Sequence, residues 1–309
     1  MKLRRKVFVG IFAFASLYLS QAVSAKEAIR IGIPSWPAGE IIAHNIAEKI
    51  EAAGLKYEVS FVDLTDLDHW SELDKDDGAI DIFPDIWMPN HQPNWDQYVI
   101  EAASVEANRT PYIATQGFHV YSPDIAEFNE LSIDDLSDPK VIDYFDSDGN
   151  GKAEFWPGGA SYRSKHYSKL KLHEQGLSDK WESLEIEQDE FLAALEQRKR
   201  IERPILFYYW TPEWLFAKYT TFQLTEPDYQ DGCMVIEGEL GEEGWMENST
   251  FNCNYPETQV YMLYRDGLDV ELQKVLNKYF VSTEKLEAAL LEQLENKLDA
   301  KVVASLLNK

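Results

Sequence analysis

Apolar positions along this chain follow two rhythms. Ile29-Arg30-Ile31-Gly32-Ile33 is apolar enough for a strand covered on both faces. Glu40 to Ala53 repeats Ile41, Ile42, Ile46 and Ile50 at helical spacing and stops at Gly54. Tyr57 to Val62 returns to strand character, Asp68 to Leu73 predicts a short helix, and Ala79-Ile80-Asp81-Ile82-Phe83 a third strand. Pro84 brings no backbone donor and is expected to end that strand. The alternation β-α-β-α-β predicts an α/β fold with a parallel, doubly wound sheet.

Beyond residue 90, Gln92 to Ala103 predicts a helix and Gly117 to Tyr121 a strand leading elsewhere. Tyr162 to Gln175 and Gln188 to Arg198 read as helices, Pro204 to Tyr209 as a strand, and Trp214 to Tyr219 as a helical segment. Residues 225–258 are acidic, glycine-rich and irregular; Val260 to Tyr264 is a strand, and two amphipathic helices close the chain. Crossing points near residues 113 and 224 divide the chain into one lobe of residues 26–113 plus 224–309 and a second of 114–223. Two lobes so joined can close over a ligand by hinge motion.

Three strand ends share a chemistry. Trp36 lies between Pro34 and Pro37, Trp87 precedes Pro89 and His91, and Trp210 precedes Pro212. In α/β proteins, ligands bind where loops leave the carboxyl ends of strands. Indoles converging there would hold an organic cation on the negative faces of their rings. A trimethylammonium group has no N–H, so acceptors cannot select it, whereas aromatic faces suit its methyl-spread charge. A carboxylate on the same ligand would need donors, which His91, Arg163, Ser164 and backbone N–H groups near Tyr162 offer. The remaining tryptophans, Trp70, Trp95, Trp181, Trp214 and Trp245, read as packing or surface residues.

Charge narrows the partners. The 309 residues carry a formal net charge of −25. Lys2, Arg4, Arg5 and Lys6 precede an apolar run from Val7 to Leu19, and Val23-Ser24-Ala25 suits cleavage before Lys26, so residues 1–25 read as a secretory signal peptide. Losing those four positive charges takes the net charge to −29. The remaining basic residues are heavily outnumbered by acids, which argues strongly against nucleic acid as a partner. Cys233 and Cys253, the only cysteines of an exported chain, are expected to pair as a structural staple. No GxSxG, HExxH or cysteine-nucleophile motif is present, so a secreted hydrolase is the weaker reading and no enzymatic activity is expected.

Asp146-Ser147-Asp148-Gly149-Asn150-Gly151-Lys152-Ala153-Glu154 places oxygen ligands at alternate positions and Gly at the sixth, as an EF-hand loop begins. Asp146, Asp148, Asn150, the Lys152 carbonyl and Glu154 are the candidate ligands of a structural Ca²⁺. Pro157 stands where such a loop has its bidentate Glu, and an Asx-rich turn is the plainer reading. No cofactor is required.

Three motifs together resemble the periplasmic substrate-binding proteins of ABC importers for glycine betaine, choline and related quaternary ammonium compounds: Trp87-Met88-Pro89-Asn90-His91, the run from Leu136 to Phe155, and Tyr208-Tyr209-Trp210-Thr211-Pro212. The resemblance covers essentially the whole mature chain. It implies a two-lobe, type II-like periplasmic-binding-protein fold with the ligand cleft between the lobes. It also implies a monomer that delivers its ligand to ABC importer membrane subunits, as osmoprotectant carriers do. By motif position, Trp87 and Trp210 match cage tryptophans, Trp36 matches one found in choline-binding relatives, and His91 matches a contact to a betaine carboxylate. Tyr162 stands where betaine-binding relatives carry another cage tryptophan, with Trp156 as the competing candidate. The acid of choline-binding relatives is Ala38 here, which favours glycine betaine over choline; trimethylamine N-oxide is the other competitor.

Overall fold

A computed structural model describes residues 27–308 apart from 124–127 and 129. The expected signal peptide lies outside the described residues. Two mixed sheets carry the molecule. The first contains β1 (Glu27–Ile33), β2 (Tyr57–Asp63), β3 (Ile82–Met88), β4 (Val105–Ala107), β5 (Tyr112–Ala114) and β13 (Thr258–Arg265), in the order β2-β1-β3-β13-β4, with β5 also on β13. The second contains β6 (Gln116–Tyr121), β7 (Ala153–Trp156), β8 (Trp181–Ser183), β9 (Ile205–Trp210) and β10 (Thr221–Gln223), in the order β10-β6-β9-β7-β8, while β11 (Met234–Val235) and β12 (Thr250–Phe251) pair with each other. β2-β1-β3 is parallel, as predicted, and β8-β7-β9 is parallel too, whereas β13 and β6 run antiparallel to their neighbours. The chain crosses between the sheets at Thr115, between β5 and β6.

Helix α1 (Pro37–Ala52) starts with proline at its first position, where the missing N–H costs nothing, and buries Ile41, Ile42, Ile46 and Ile50 against β1. Asn45, on the same buried face, donates to the Ala304 carbonyl at 2.9 Å and so ties α1 to the last helices. The other helices are α2 (His69–Asp74), α3 (Gln92–Trp95, continued as a π-turn segment to Glu101), α4 (Pro139–Phe145), α5 (Ser164–Glu174), α6 (Gln188–Arg200), α7 (Trp214–Lys218), α8 (Trp245–Asn248), α9 (Val270–Leu276), α10 (Thr283–Asn296) and α11 (Ala300–Ala304). No helix among the described residues is long and apolar enough to cross a membrane.

Two expectations are corrected. Pro84 does not end β3. The β3–β13 ladder pairs Ile86 with Tyr261 and Phe83 with Leu263 and shifts register between them, so Pro84 falls in the irregularity and no ladder donor is lost. Residues 225–257, read as part of the first lobe, pack on the second. Cys233 and Cys253 are joined (Cα–Cα 5.8 Å) and cluster with Trp245, Phe251 and Leu170 of α5. That apolar cluster needs a face to bury against, and α5 supplies it. Lys171 of α5 adds an ion pair to Glu226 at 2.6 Å, with both side chains 1% exposed.

At the start of β3, buried Asp81 takes the Arg30 guanidinium (2.9 Å), the Arg30 backbone N–H (2.8 Å) and Arg265 Nε (2.6 Å). Burial pushes the Asp81 carboxyl up, but the hydrogen bonds from Arg30 and Arg265 prevail and hold it below its ordinary 3.8. This cluster joins β1, β3 and β13. A depressed carboxyl stabilises the fold fully above its unfolded pKa and loses that contribution as pH falls through its folded pKa. Asp81→Asn should therefore lower the unfolding free energy by about 2–3 kcal/mol at pH 7 in urea melts. The gap from wild type should narrow in melts run below about pH 4; a constant gap would assign the loss to packing alone.

Candidate binding site

The three tryptophans at the strand ends meet. Trp36 caps α1 with extended backbone (φ −114°, ψ 145°) and leaves 40% of its surface exposed. Trp87 stands near the end of β3 opposite Val260, and Trp210 ends β9 opposite Gln116. Together with Tyr208 they line a cavity of about 350 Å³ between the two sheets. Pro37, Ala38 and Pro212 fill the wall between the rings, and Gln116 and Glu213 are the polar side chains. No lysine, arginine or histidine lines it. Both cis peptide bonds among the described residues, Met88–Pro89 and Thr211–Pro212, adjoin this wall.

Each ring is held from behind. Asp85, 2% exposed on β3, accepts the indole N–H of Trp36 and the Tyr112 hydroxyl at 2.7 Å, and the Trp87 indole lies close enough to favour charge on the same carboxyl. Burial pushes that carboxyl up against these three groups. Gly39 leaves room for Trp36: a Cβ there would stand 2.8 Å from its Nε1 and 2.3 Å from Pro34 Cγ. Trp210 stacks on Tyr209 at 4.7 Å, and the Tyr208 hydroxyl donates to Gln116 Oε1 at 2.9 Å. Thr211 is clasped to Thr115: its N–H donates to the Thr115 carbonyl at 2.8 Å, and its hydroxyl accepts the Thr115 N–H at 2.9 Å.

The remaining sequence candidates separate. Tyr162 borders Trp210, with ring centroids 6.2 Å apart, but does not line the cavity; its hydroxyl donates to Gln188 Oε1 at 2.6 Å. Glu187 steadies this loop by accepting the Ser161 N–H at 3.0 Å. Trp156 is fully buried, stacked on Phe191 at 4.0 Å, and donates to the Ile186 carbonyl, so it is a core residue. His91 is absent from the cavity wall. After Pro89 the chain turns tightly, with the Gln92 N–H on the Pro89 carbonyl at 2.9 Å, and the His91 ring lies against His69 (5.9 Å) and Trp70 (6.2 Å). Phe83 touches both His69 and Trp36 and stands between the histidines and the cage. Burial lowers the His91 pKa, which favours a neutral ring there. Arg163 is exposed beside the start of α5, and the Ser164 hydroxyl is buried without a partner among the described residues.

In the loop before β7, Asp146, Asp148 and Glu154 bring ligand oxygens within 4.8 Å of one another. Asp146 accepts the N–H groups of Gly149 and Gly151, both at 2.7 Å, and Glu154 accepts the Ser147 N–H and hydroxyl. The Asn150 amide turns to Asp148 and Glu182, and Lys152 is exposed.

Four residues of the site escape the motif reading: Tyr208, Gln116, Glu213 and Asp85. Strand alternation carries a signal for two of them, because Asp85 lies two residues before Trp87 and Tyr208 two before Trp210, on the same strand faces. Glu213 precedes α7, and burial, then the nearby Glu287 of α10, raises its pKa to about 7. Glu287 is raised to about 7 by burial and Glu284, although its carboxyl accepts the Glu213 N–H.

The family described as the substrate binding domain of ABC-type glycine betaine transport systems matches residues 27–306. The glycine betaine/proline betaine-binding periplasmic protein of Salmonella typhimurium is 27% identical over 139 residues, which is 42% of this chain and 39% of that protein. Among solved structures, lactococcal OpuAC closed on glycine betaine is 19% identical, with 91% of this chain and 95% of that one covered and a TM-score of 0.58. A glycine betaine/carnitine/choline ABC transporter structure is 14% identical, covers 91% and 96%, and has a TM-score of 0.59. A choline-binding protein in complex with choline is 19% identical, with 91% and 87% covered and a TM-score of 0.53. At these identities the structural likenesses establish the two-lobe fold.

The carboxyls of Glu213 and Glu287 make stability depend on pH in the opposite sense to Asp81. The folded chain retains protons that the unfolded chain releases, so stability should fall as pH rises from about 4.5 to about 7. Glu213→Gln should flatten that slope and leave the variant more stable than wild type at pH 8, by on the order of 1–3 kcal/mol. Denaturant melts at pH 5 and pH 8 check this, and parallel curves would show that Glu213 ionises freely.

Proposed function

Since the chain belongs to the family of substrate-binding domains of ABC-type glycine betaine transport systems, we propose that it captures a betaine-type quaternary ammonium compound, glycine betaine first, and hands it to the membrane subunits of an importer. It is a binding protein of the extracytoplasmic side and not an enzyme. Signal-peptide export of residues 1–25 and a monomeric carrier complete this reading. The observation that carries it is the cavity wall: Trp36, Trp87, Trp210 and Tyr208 enclose about 350 Å³ with no basic side chain. Such a wall offers ring faces to a cation, and it sets only the Gln116 amide and the Glu213 carboxyl against the three N–H donors of a primary amine. The polar end of a betaine would face the Gln116 amide and, on closure of the lobes, the backbone N–H groups at the start of α5.

Glu213 supports a second reading. A carboxyl on the wall repels a ligand carboxylate and accepts a hydroxyl, which favours choline. Calorimetry with glycine betaine, choline, trimethylamine N-oxide and an unmethylated amino acid tests both. Quaternary ligands should bind and the amino acid should not. Trp87→Ala and Trp210→Ala should each weaken binding at least about tenfold, since each face contributes roughly 0.5–2 kcal/mol and truncation also floods the cavity. Glu213→Gln should help glycine betaine if the first reading holds and hurt choline if the second does. Unchanged affinity in both tryptophan variants would remove the cage.

The loop at Asp146 is proposed to take Ca²⁺ through Asp146, Asp148 and Glu154, with Asn150 and the Lys152 carbonyl completing the set, as a structural ion on the approach to Tyr162. Added Ca²⁺ should raise the melting temperature by a few degrees, and Asp146→Ala with Asp148→Ala should abolish the rise. Identical melts in chelator and in Ca²⁺ would leave only an Asx-rich turn.

A further inference from the structure

Asp85 combines two features that rarely occur together. It is 2% exposed, and it makes no ion pair among the described residues. An isolated carboxylate buried in this way is costly unless something compensates its charge. The groups that act on it are aromatic: the indoles of Trp36 and Trp87, the Tyr112 hydroxyl at 2.7 Å, and, within electrostatic reach, the Tyr279 hydroxyl, which has no partner among the described residues. The Trp36 indole and the Tyr112 hydroxyl both donate to this carboxyl, a role that suits the anion and opposes the rise that burial gives its pKa.

The indole that donates to Asp85, Trp36, and the one beside it, Trp87, are the two that wall the cavity on the side of the first sheet. A hydrogen bond from an indole N–H to an anion pushes electron density into the ring. That deepens the negative potential on its face, the quantity that attracts a cation. The low dielectric of the site also carries the charge of Asp85 further than water would.

We propose that Asp85 is the fixed counter-charge of the cage, a positioning residue that holds Trp36 by its N–H group, lies beside the Trp87 indole and draws the ligand's cation onto the faces of both rings. The assignment rests on the reading of the cavity as a quaternary ammonium cage. It adds that the cage recognises charge as well as the shape of three methyl groups.

The test separates charge from shape. Choline and glycine betaine are each compared with the tert-butyl analogue in which carbon replaces the charged nitrogen. Affinities are measured by calorimetry on wild type, Asp85→Asn and Asp85→Glu. In wild type the charged member of a pair should bind at least about tenfold more tightly than its analogue. Asp85→Asn keeps an acceptor near the indoles and should reduce that preference at least about fivefold, with the affinity of the analogue little changed. Asp85→Glu should keep most of the preference. Should Asp85→Asn not fold, Asp85→Ser, with room for a water, gives the same comparison. An equal loss for both members of a pair would make Asp85 a mere latch and overturn the proposal. An unchanged preference in the Asn or Ser variant would overturn it while leaving the cage intact. If neither choline nor glycine betaine binds wild type, the cage reading fails and takes this proposal with it.

Discussion

The antiparallel ladder between β3 and β13 sets where the site lies. At one end of β3, Asp81 is fastened by Arg30 and Arg265; at the other, Trp87 turns its ring into the cavity. Between them the register shift at Pro84 lets one short strand serve two purposes. Ile82, Phe83 and Ile86 stay in the core while Trp87 lines the cage and Asp85 lies buried behind its rings. A strand anchored this firmly gives the indoles little freedom, which matters for a ligand held by contact and charge with few directed hydrogen bonds.

The molecule handles two kinds of cation in two ways. Lys171 is a buried primary ammonium, and it lies over the rings of Phe251 at 4.2 Å and Tyr255 at 4.8 Å. Its N–H donors still demand acceptors, which Glu226 and the Cys253 carbonyl provide at 2.6 Å. Burial lowers the Lys171 pKa against the pull of Glu226, the usual conflict of a buried ion pair. The cavity between the sheets has the rings without such a convergence of acceptors. That difference separates a site for a methylated ammonium from one for an amine.

Much of the architecture was legible because it rests on periodicity. The parallel strands, α1 with its isoleucine stripe and the convergence of Trp36, Trp87 and Trp210 follow from patterns local in sequence. What was not legible depends on long-range geometry. The path of β3 through Pro84 requires knowing that β13 shifts register there. His91 looked like a ligand contact because it follows Trp87 closely, but the turn after Pro89 swings it behind Phe83. Trp156 and Tyr162 could not be told apart until Phe191 was seen to stack on the former. Trp245, read as packing or surface in an acidic loop, is 6% exposed beside the disulfide, because residues 225–257 fold back onto α5. Asp85 and Glu213 were lost among the many acids of a strongly acidic chain, where composition hides the few carboxyls that are buried.

The clasp between Thr115 and Thr211 bears on how long a ligand stays. Thr115 is the residue at which the chain crosses from one sheet to the other, and Thr211 directly follows Trp210. Their paired hydrogen bonds couple rotation at the crossing to displacement of a cage wall. Trp36 and Trp87 lie on the side of the other sheet, Trp36 at the start of α1 and Trp87 on β3. Were the lobes to part as rigid bodies, a ligand would leave through one opening, and substitutions at Thr115, which does not line the cavity, would act on its rate of release.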